Sequence, residues 1–152
     1  MKIGLAGAGH LGKIHLKCLL KTKFELAGFY DPDPSVRKLI EDTYNIKAFG
    51  SLGEMIEVCD CIDIVSPTVY HYEIAKECIT KGKHLFIEKP LTELTSQALE
   101  LVELSVQYGV KVQVGHVERY NPAIQSLKNV SFNPKFIEGH RLAVFNPRGT
   151  DV

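Results

Sequence analysis

The sequence has no excess of either charge, no long apolar run, no internal repeat and no low-complexity segment. Its 152 residues carry 18 Lys and Arg against 18 Asp and Glu, a formal net charge of zero, so we predict neither a nucleic-acid nor a membrane partner. No apolar stretch is long enough to span a bilayer, and the N-terminus lacks a signal-peptide pattern. A chain of this length fits one ordinary domain, and we expect it in the cytoplasm.

Cysteine is scarce and is not spaced for chemistry. The four cysteines are Cys18, Cys59, Cys61 and Cys78. Because Cys59 and Cys61 are separated by a single residue, they do not form the C-x-x-C pattern of a redox or zinc site, and we expect reduced structural thiols. His, Cys and carboxylate side chains do not cluster at metal-ligand spacing in the sequence, so no metal is predicted.

The most informative feature present is a glycine-rich turn near the N-terminus. A short apolar segment runs directly into Gly7–Gly12 (GAGHLG), which has the G-x-G-x-x-G pattern of dinucleotide-binding loops. Gly7 would allow the tight turn out of a strand, Gly9 would leave room for the pyrophosphate, and Gly12 would let the next helix pack closely. The N–H groups at the start of that helix would face the phosphates.

An acidic residue follows at the distance that such a loop requires. Phe24–Tyr30 is predicted as a second buried strand, and Asp31 stands at its end, 19 residues beyond Gly12. A carboxylate there accepts hydrogen bonds from the adenosine ribose and repels a 2′-phosphate, which favours NAD over NADP. Asp31 is also typical of a turn before a helix, and both roles can hold together. Arg37 and Lys38, one helical turn further on, keep NADP as the alternative.

Strands and helices alternate along the chain, which predicts an α/β fold: a doubly wound parallel sheet with helices on both faces, the Rossmann architecture. The six predicted strands are the segment before Gly7, Phe24–Tyr30, Ile46–Phe49, Cys61–Val65, His84–Ile87 and Val110–Val114. The predicted helices are His10–Leu20, Pro34–Tyr44, a short helix opened by Ser51, Tyr70–Lys81, Thr95–Tyr108 and a helix from Pro122 to about Lys128.

The last part of the chain differs from the rest. Phe136–Phe145 is strand-like, yet the chain stops at Val152 with no further strand for it to pair with. We therefore predict a nucleotide-binding Rossmann domain over residues 1–122. Residues 123–152 are predicted to hold a helix and the first strand of an otherwise absent substrate domain. Because an unpaired apolar strand tends to pair with a second copy, we expect a homo-oligomer.

Polar and titratable residues follow the predicted strands at the sheet edge where open parallel sheets bind ligands. The fourth strand is followed by Ser66–Thr68, with His71 just inside the next helix. The fifth is followed by Glu88–Pro90, and the sixth leads into a polar segment that contains Arg119. This concentration exceeds what ordinary loop polarity would give.

With these motifs the sequence resembles the glucose–fructose oxidoreductase / inositol dehydrogenase / MocA family. The motifs that carry the resemblance are Gly7–Gly12 (GAGHLG), Ser66–His71 (SPTVYH), Gly82–Pro90 (GKHLFIEKP) and Val114–Pro122 (VGHVERYNP). The family implies NAD(P)-dependent dehydrogenases or reductases of sugars, inositols and related alcohols, with a Rossmann domain followed by a substrate domain that mediates oligomerisation. The last motif looks most like the branch that contains UDP-N-acetylglucosamine 3-dehydrogenases.

The resemblance assigns roles to the residues at the strand ends. Lys89 is the predicted catalytic residue, placed beside the nicotinamide and the reacting hydroxyl, where it would assist loss of the hydroxyl proton. A surface lysine in a loop is the alternative for Lys89, and a plain turn is the alternative for Ser66–Thr68. A helix cap is the alternative for His71, and a structural salt bridge is the alternative for Arg119. The predicted cofactor-binding residues are Gly7, Gly9, His10, Leu11, Gly12, Asp31, Ser66, Pro67, Thr68, His71, Glu88, Lys89 and Arg119.

The resemblance therefore predicts an NAD-dependent oxidoreductase that acts on a hydroxyl of a sugar or nucleotide sugar, a small-molecule partner. The chain would be its nucleotide-binding portion and inactive alone, because family members supply a further aspartate and histidine from the second domain. The alternative is a stand-alone NAD-binding or assembly module without turnover. Glu88–Pro90 argues against that alternative, since a sensor has no need of a lysine at this position.

Overall fold

Five short apolar segments pair into one parallel sheet. The structure is a computed structural model that describes residues 1–131, 133–140 and 142. The strands are β1 (Lys2–Ala6), β2 (Glu25–Tyr30), β3 (Cys61–Ile64), β4 (His84–Ile87) and β5 (Val112–Val114). Their order across the sheet is β2-β1-β3-β4-β5, and all neighbouring pairs are parallel. The strand order reverses between β1 and β3, so the carboxyl end of β1 lies at the point where ligands bind in such sheets.

Helices alternate with the strands of the sheet, and side chains cap the start of some of them. They are α1 (His10–Leu19), α2 (Pro34–Tyr44), α3 (Leu52–Val58), α4 (His71–Thr80) and α5 (Thr95–Gln107), with a 3₁₀ turn at Thr68–Tyr70 before α4. The Asp33 carboxylate accepts from the N–H of Ser35 at the start of α2, and the Ser51 hydroxyl accepts from the N–H of Glu54 in α3. These helix starts fall where the sequence predicts them.

The sheet carries helices on both faces, as predicted. Leu5 and Ala6 are neighbours in β1, so their side chains point to opposite faces. One face packs against α1 and α2, and its buried residues are Leu5, Ala8, Leu16, Phe29, Ile40, Ile46 and Val65. The other packs against α3, α4 and α5, and its buried residues include Ala6, Met55, Ile56, Ile62, Ile64, Ile79, Ile87 and Leu101. The doubly wound Rossmann fold is confirmed.

The prediction of six strands is wrong, because Ile46–Phe49 is not a strand. It makes a single parallel bridge between Ala48 and Phe29 of β2. Ile46 and Phe49 are buried, but in the cores on opposite faces of the sheet. The apolar pattern of this segment therefore comes from filling two cores at the edge of the sheet, and not from extending the sheet.

The chain divides into two units, Met1–Gly115 and His116–Val152. The second unit contains a 3₁₀ turn at Val117–Tyr120 and a short helix, α6 (Pro122–Gln125), which ends before the predicted Lys128. Of the predicted strand over 136–145, residues 136–140 and 142 lie in no strand, because no described segment pairs with them. Residues 141 and 143–145 lie outside the described part. Among the described helices, none has the length and apolar character that a membrane crossing requires.

Candidate active site

The glycine loop between β1 and α1 is closely packed at two of its three glycines. Gly7 has a φ of +99°, and a Cβ there would lie 2.8 Å from the backbone N of Ser66. A Cβ on Gly12 would lie 2.1 Å from the carbonyl O of Gly7. At Gly9, in contrast, a Cβ would meet nothing within 4 Å. Gly7 and Gly12 are thus required by the fold, whereas the absent side chain of Gly9 leaves open space above the loop.

The start of α1 is free to bind an anion. Gly9 occupies the N-cap position, no side chain caps the helix within the described residues, and its first turn contains no acidic residue. His10 and Leu11 are exposed at this end. Unpaired N–H groups and the positive end of the helix dipole favour negative charge, so the pyrophosphate predicted for this loop has suitable donors.

Asp31 links the end of β2 to the glycine loop. Its Oδ2 accepts from the N–H of Ala8 at 2.8 Å, and its Oδ1 accepts from the N–H of Asp33 at 3.0 Å. Each oxygen keeps lone pairs beyond these bonds, so the carboxylate can also accept from ribose hydroxyls. Arg37 donates from Nη1 to the carbonyl O of Asp31 at 2.7 Å and to that of Pro32 at 3.2 Å. The guanidinium is therefore held to the backbone beside the predicted ribose site.

The loop after β3 presents a buried hydroxyl with no partner. The Oγ of Ser66 is buried and makes no hydrogen bond to any described residue. Pro67 is exposed and Thr68 is buried. A buried hydroxyl without a partner costs free energy, so Ser66 offers an unused donor and acceptor at the edge of the sheet.

His71 connects this loop to the loop after β4. Its ring is buried, with Nε2 at 2.8 Å from the carbonyl O of Ser66 and Nδ1 at 2.9 Å from the carbonyl O of Pro90. These contacts fix the two loops to each other. His71 as a cofactor ligand stays a prediction, and the contacts that the structure gives are to backbone.

Lys89 stands at the carboxyl end of β4 with an exposed side chain. Its backbone N–H donates to Oε2 of the buried Glu88 at 3.0 Å, and the Lys89–Pro90 peptide is cis. A Cβ on Gly115 would lie 2.7 Å from Oε1 of Glu88, so only glycine leaves room for this carboxylate. Glu88 is thereby held with its carboxylate turned back on the N–H of Lys89.

The structure brings most of the predicted site residues into one row along the sheet edge. Asp31 contacts Ala8, the glycine loop packs on Ser66, and His71 joins the carbonyl O of Ser66 to that of Pro90, the residue after Lys89. Arg119 belongs to the second unit, in the 3₁₀ turn after Gly115. Its assignment to the cofactor site stays a prediction.

With this geometry established, the chain can be compared with known proteins. A family model described as an oxidoreductase family with an NAD-binding Rossmann fold matches residues 1–116. The chain belongs to this GFO/IDH/MocA family. The resemblance stated from the sequence motifs is confirmed.

Three family relatives show how much of such a protein the chain represents. A UDP-N-acetylglucosamine 3-dehydrogenase of Acidithiobacillus ferrooxidans is 33% identical over 153 residues, covering 100% of this chain and 49% of that protein. A solved structure of UDP-N-acetylglucosamine 3-dehydrogenase from the same organism matches with a TM-score of 0.90 at 33% identity, over 99% of this chain and 50% of that one. A glucose-6-phosphate 3-dehydrogenase of Bacillus subtilis is 29% identical, over 87% of this chain and 38% of its own. The chain spans about half the length of these relatives, or less.

The residues present fit the NAD that the family implies. Gly9 leaves open space above the loop, α1 begins without a cap, and Ser66 offers an unpaired buried hydroxyl nearby. No acidic side chain in the first turn of α1 would repel a phosphate. Gly7, Gly9 and Gly12 would hold the pyrophosphate, and Asp31 the adenosine ribose.

Sequence reasoning missed His15, because a histidine on the first helix is more typical of a packed or surface position than of a site. In the structure its Nδ1 lies 2.9 Å from Oδ2 of Asp63, and its Nε2 lies 3.3 Å from Oε1 of Glu88. The hydrogen bond to Asp63 raises the pKa of His15, and burial opposes this effect. Burial raises the pKa of Asp63, and the bond to His15 opposes it. Asp63 was the available signal, since a carboxylate in an apolar buried strand requires a partner.

Proposed function

We propose that this chain is the nucleotide-binding portion of an NAD-dependent oxidoreductase that acts on a hydroxyl group of a sugar or nucleotide sugar. The observation that carries the proposal is the row of contacts from Asp31 through the glycine loop, Ser66 and His71 to Pro90, the neighbour of Lys89. Two of the relatives are named as 3-dehydrogenases of a nucleotide sugar and of a sugar phosphate. Their names support a sugar hydroxyl as the substrate group.

For the cofactor we propose NAD over NADP. The Asp31 carboxylate, held by the N–H groups of Ala8 and Asp33, would accept from the ribose hydroxyls and repel a 2′-phosphate. Arg37 is the residue on which the NADP alternative would depend, because within the described residues only its Nη1 is bound to backbone carbonyls and its other N–H groups could donate to a 2′-phosphate.

Lys89 is the residue that we propose for proton transfer. When bound, the nicotinamide group supplies the hydride chemistry. The side-chain amine of Lys89 would lie beside the substrate hydroxyl, and in its uncharged form it would accept the hydroxyl proton and become an ammonium. Glu88 would hold the Lys89 backbone through Oε2, and His71 would hold the adjoining Pro90 carbonyl.

The remaining assignments follow from the same proposal. We propose residues 1–122 as the nucleotide domain and 123–152 as the beginning of a substrate domain.

A homo-oligomer is proposed because Phe136 and Ile137 in that part are 79% and 78% exposed. Light scattering that finds only monomer at high concentration would contradict the proposed oligomer. The cytoplasm is proposed because the four cysteines are free thiols.

Calorimetric titration of the 152-residue chain with NADH and NADPH tests the cofactor assignment. We expect NADH to bind and to bind at least about tenfold more tightly than NADPH, a difference of roughly 1.4 kcal/mol. No binding at millimolar NADH would overturn the proposed function. A stand-alone module without turnover would also bind NADH. NADH binding therefore does not test the catalytic role of Lys89, which requires a measurement of turnover.

Lys89→Ala separates the enzyme from the binding module. If the coding frame continues past Val152, the longer protein can be screened with UDP-sugars, free sugars and inositols. We expect Lys89→Ala to lose turnover and to keep its NADH affinity, because Lys89 acts on the substrate proton. Lys111→Ala is the control, since it removes an exposed lysine just before β5, where the strands begin, whereas Lys89 lies where β4 ends. Unchanged turnover in Lys89→Ala would remove Lys89 from the mechanism.

A further inference from the structure

His15 stands between two buried carboxylates that come from different strands. Asp63 lies within β3 and is 5% exposed, and Glu88 follows β4 directly and is 6% exposed. The ring of Phe86 lies beside His15, with the ring centroids 5.9 Å apart. Among the residues that the structure describes, the charged groups that face His15 are Asp63 from β3 and Glu88 from β4.

Both ring nitrogens of His15 face a carboxylate oxygen: Nδ1 is hydrogen-bonded to Asp63, and Nε2 is in ion-pair contact with Glu88 at 3.3 Å. A neutral imidazole could donate to only one carboxylate, and the lone pair on its other nitrogen would face the second carboxylate. An imidazolium presents an N–H to each carboxylate and offsets one of their two charges. The doubly protonated ring therefore suits this arrangement better than the neutral ring.

The same cluster joins two parts of the proposed site. His15 lies on α1, the helix that begins at the glycine loop. Glu88 uses one carboxylate oxygen to face His15 and the other to accept the N–H of Lys89. Because Gly115 packs against the same carboxylate, Glu88 has little freedom to turn away while His15 holds it.

We propose that protonated His15 is a positioning residue, which holds Glu88 on the backbone N–H of Lys89 and so ties the glycine-loop helix to the strand end that carries Lys89. The catalytic meaning of this link rests on the proposed function, but the link itself does not. When His15 loses its second proton, one carboxylate loses its donor. Glu88, at 3.3 Å the longer contact, is then released, and the Lys89 N–H loses its partner.

Nuclear magnetic resonance of the isotopically labelled 152-residue chain tests this link without any cofactor. The ring of His15 and the amide of Lys89 are followed together as the pH is raised. We expect the Lys89 amide resonance to shift with the same midpoint as His15. A Lys89 amide that does not change, or that changes with a different midpoint, would overturn the proposal.

Two variants distinguish positioning from simple packing. Glu88→Gln should lower the midpoint of His15 by roughly one pH unit, because it removes one of the two facing charges. His15→Gln, which keeps a polar side chain but cannot titrate, should abolish the shift of the Lys89 amide. Glu103→Gln is the matched control, since Glu103 is exposed on α5. If the Lys89 amide still shifted with pH in His15→Gln, the link would be refuted. If His15→Gln does not fold, the comparison of midpoints in the wild type decides.

NADH titration of the same samples keeps the two proposals apart. If the wild-type chain shows the coupled titration but no NADH binding, the proposed function fails while the link stands. If NADH binds but His15 and Lys89 titrate independently, the link fails and the proposed function stands.

Discussion

Gly9 and Gly12 stand three residues apart in the same loop, but a methyl group would meet different surroundings at each. At Gly12 it would overlap the carbonyl O of Gly7, at 2.1 Å. At Gly9 it would enter open space, and the backbone there has a negative φ of −65° that alanine can adopt. Gly12 is therefore required by the packing of α1, whereas Gly9 leaves open space at the start of that helix.

This contrast predicts opposite effects for two matched alanine variants. Gly12→Ala should destabilise the chain by about 3 kcal/mol, a fall in melting temperature of roughly 6–12 °C. Gly9→Ala should keep the wild-type melting temperature and weaken NADH binding by at least about tenfold. Thermal unfolding and calorimetry on both variants check the pair. If Gly9→Ala bound NADH as the wild type does, the pyrophosphate would not approach the loop at this position.

Other residues of the site differ in how much the sequence reveals about them. The glycines and Asp31 could be predicted because their spacing along the chain is itself the signal. The contact between His15 and Asp63 joins residues 48 positions apart, and no local pattern encodes such a pairing. Only the buried charge of Asp63 in an apolar strand could have indicated that a partner exists.

At the scale of whole elements, prediction succeeds where the signal is local. Pro34–Tyr44 and His84–Ile87 were predicted with the bounds that the structure gives, because an N-cap with proline at N1 defines the first, and flanking polar residues define the second. Ile46–Phe49 was predicted wrongly, because its apolar pattern also fits a segment that fills the cores on both faces of the sheet. Of this segment, only Ala48 forms a bridge with β2.

For the molecule as a whole, the net charge is zero, but two sets of titratable groups make the free energy of unfolding depend on pH in opposite directions. The pKa values of several carboxyls that are exposed or half-buried, at Asp33, Glu57, Asp60 and Glu100, are lowered by hydrogen bonds that the fold provides. Such groups stabilise the fold above their ordinary pKa and lose this contribution as the pH falls. The raised pKa of His15 works in the other direction. The free energy of unfolding should therefore pass through a maximum between the acidic and alkaline limits.

The alkaline side of this maximum can be assigned to His15. Because the fold raises its pKa above 6.5, its stabilising contribution is complete below that value and is lost as the pH rises through the pKa in the folded chain. Burial raises the pKa of the thiols of Cys61 to about 11 and of Cys78 to about 12, so their own effects begin near the ordinary thiol value. Thermal unfolding from about pH 6 to about pH 7.5 stays below the range of the thiols, whose ordinary pKa is about 8.5. We expect the melting temperature of the wild type to fall across this range and that of His15→Gln to fall less. If the melting temperature of His15→Gln fell as steeply with pH as that of the wild type, folding would not raise the pKa of His15.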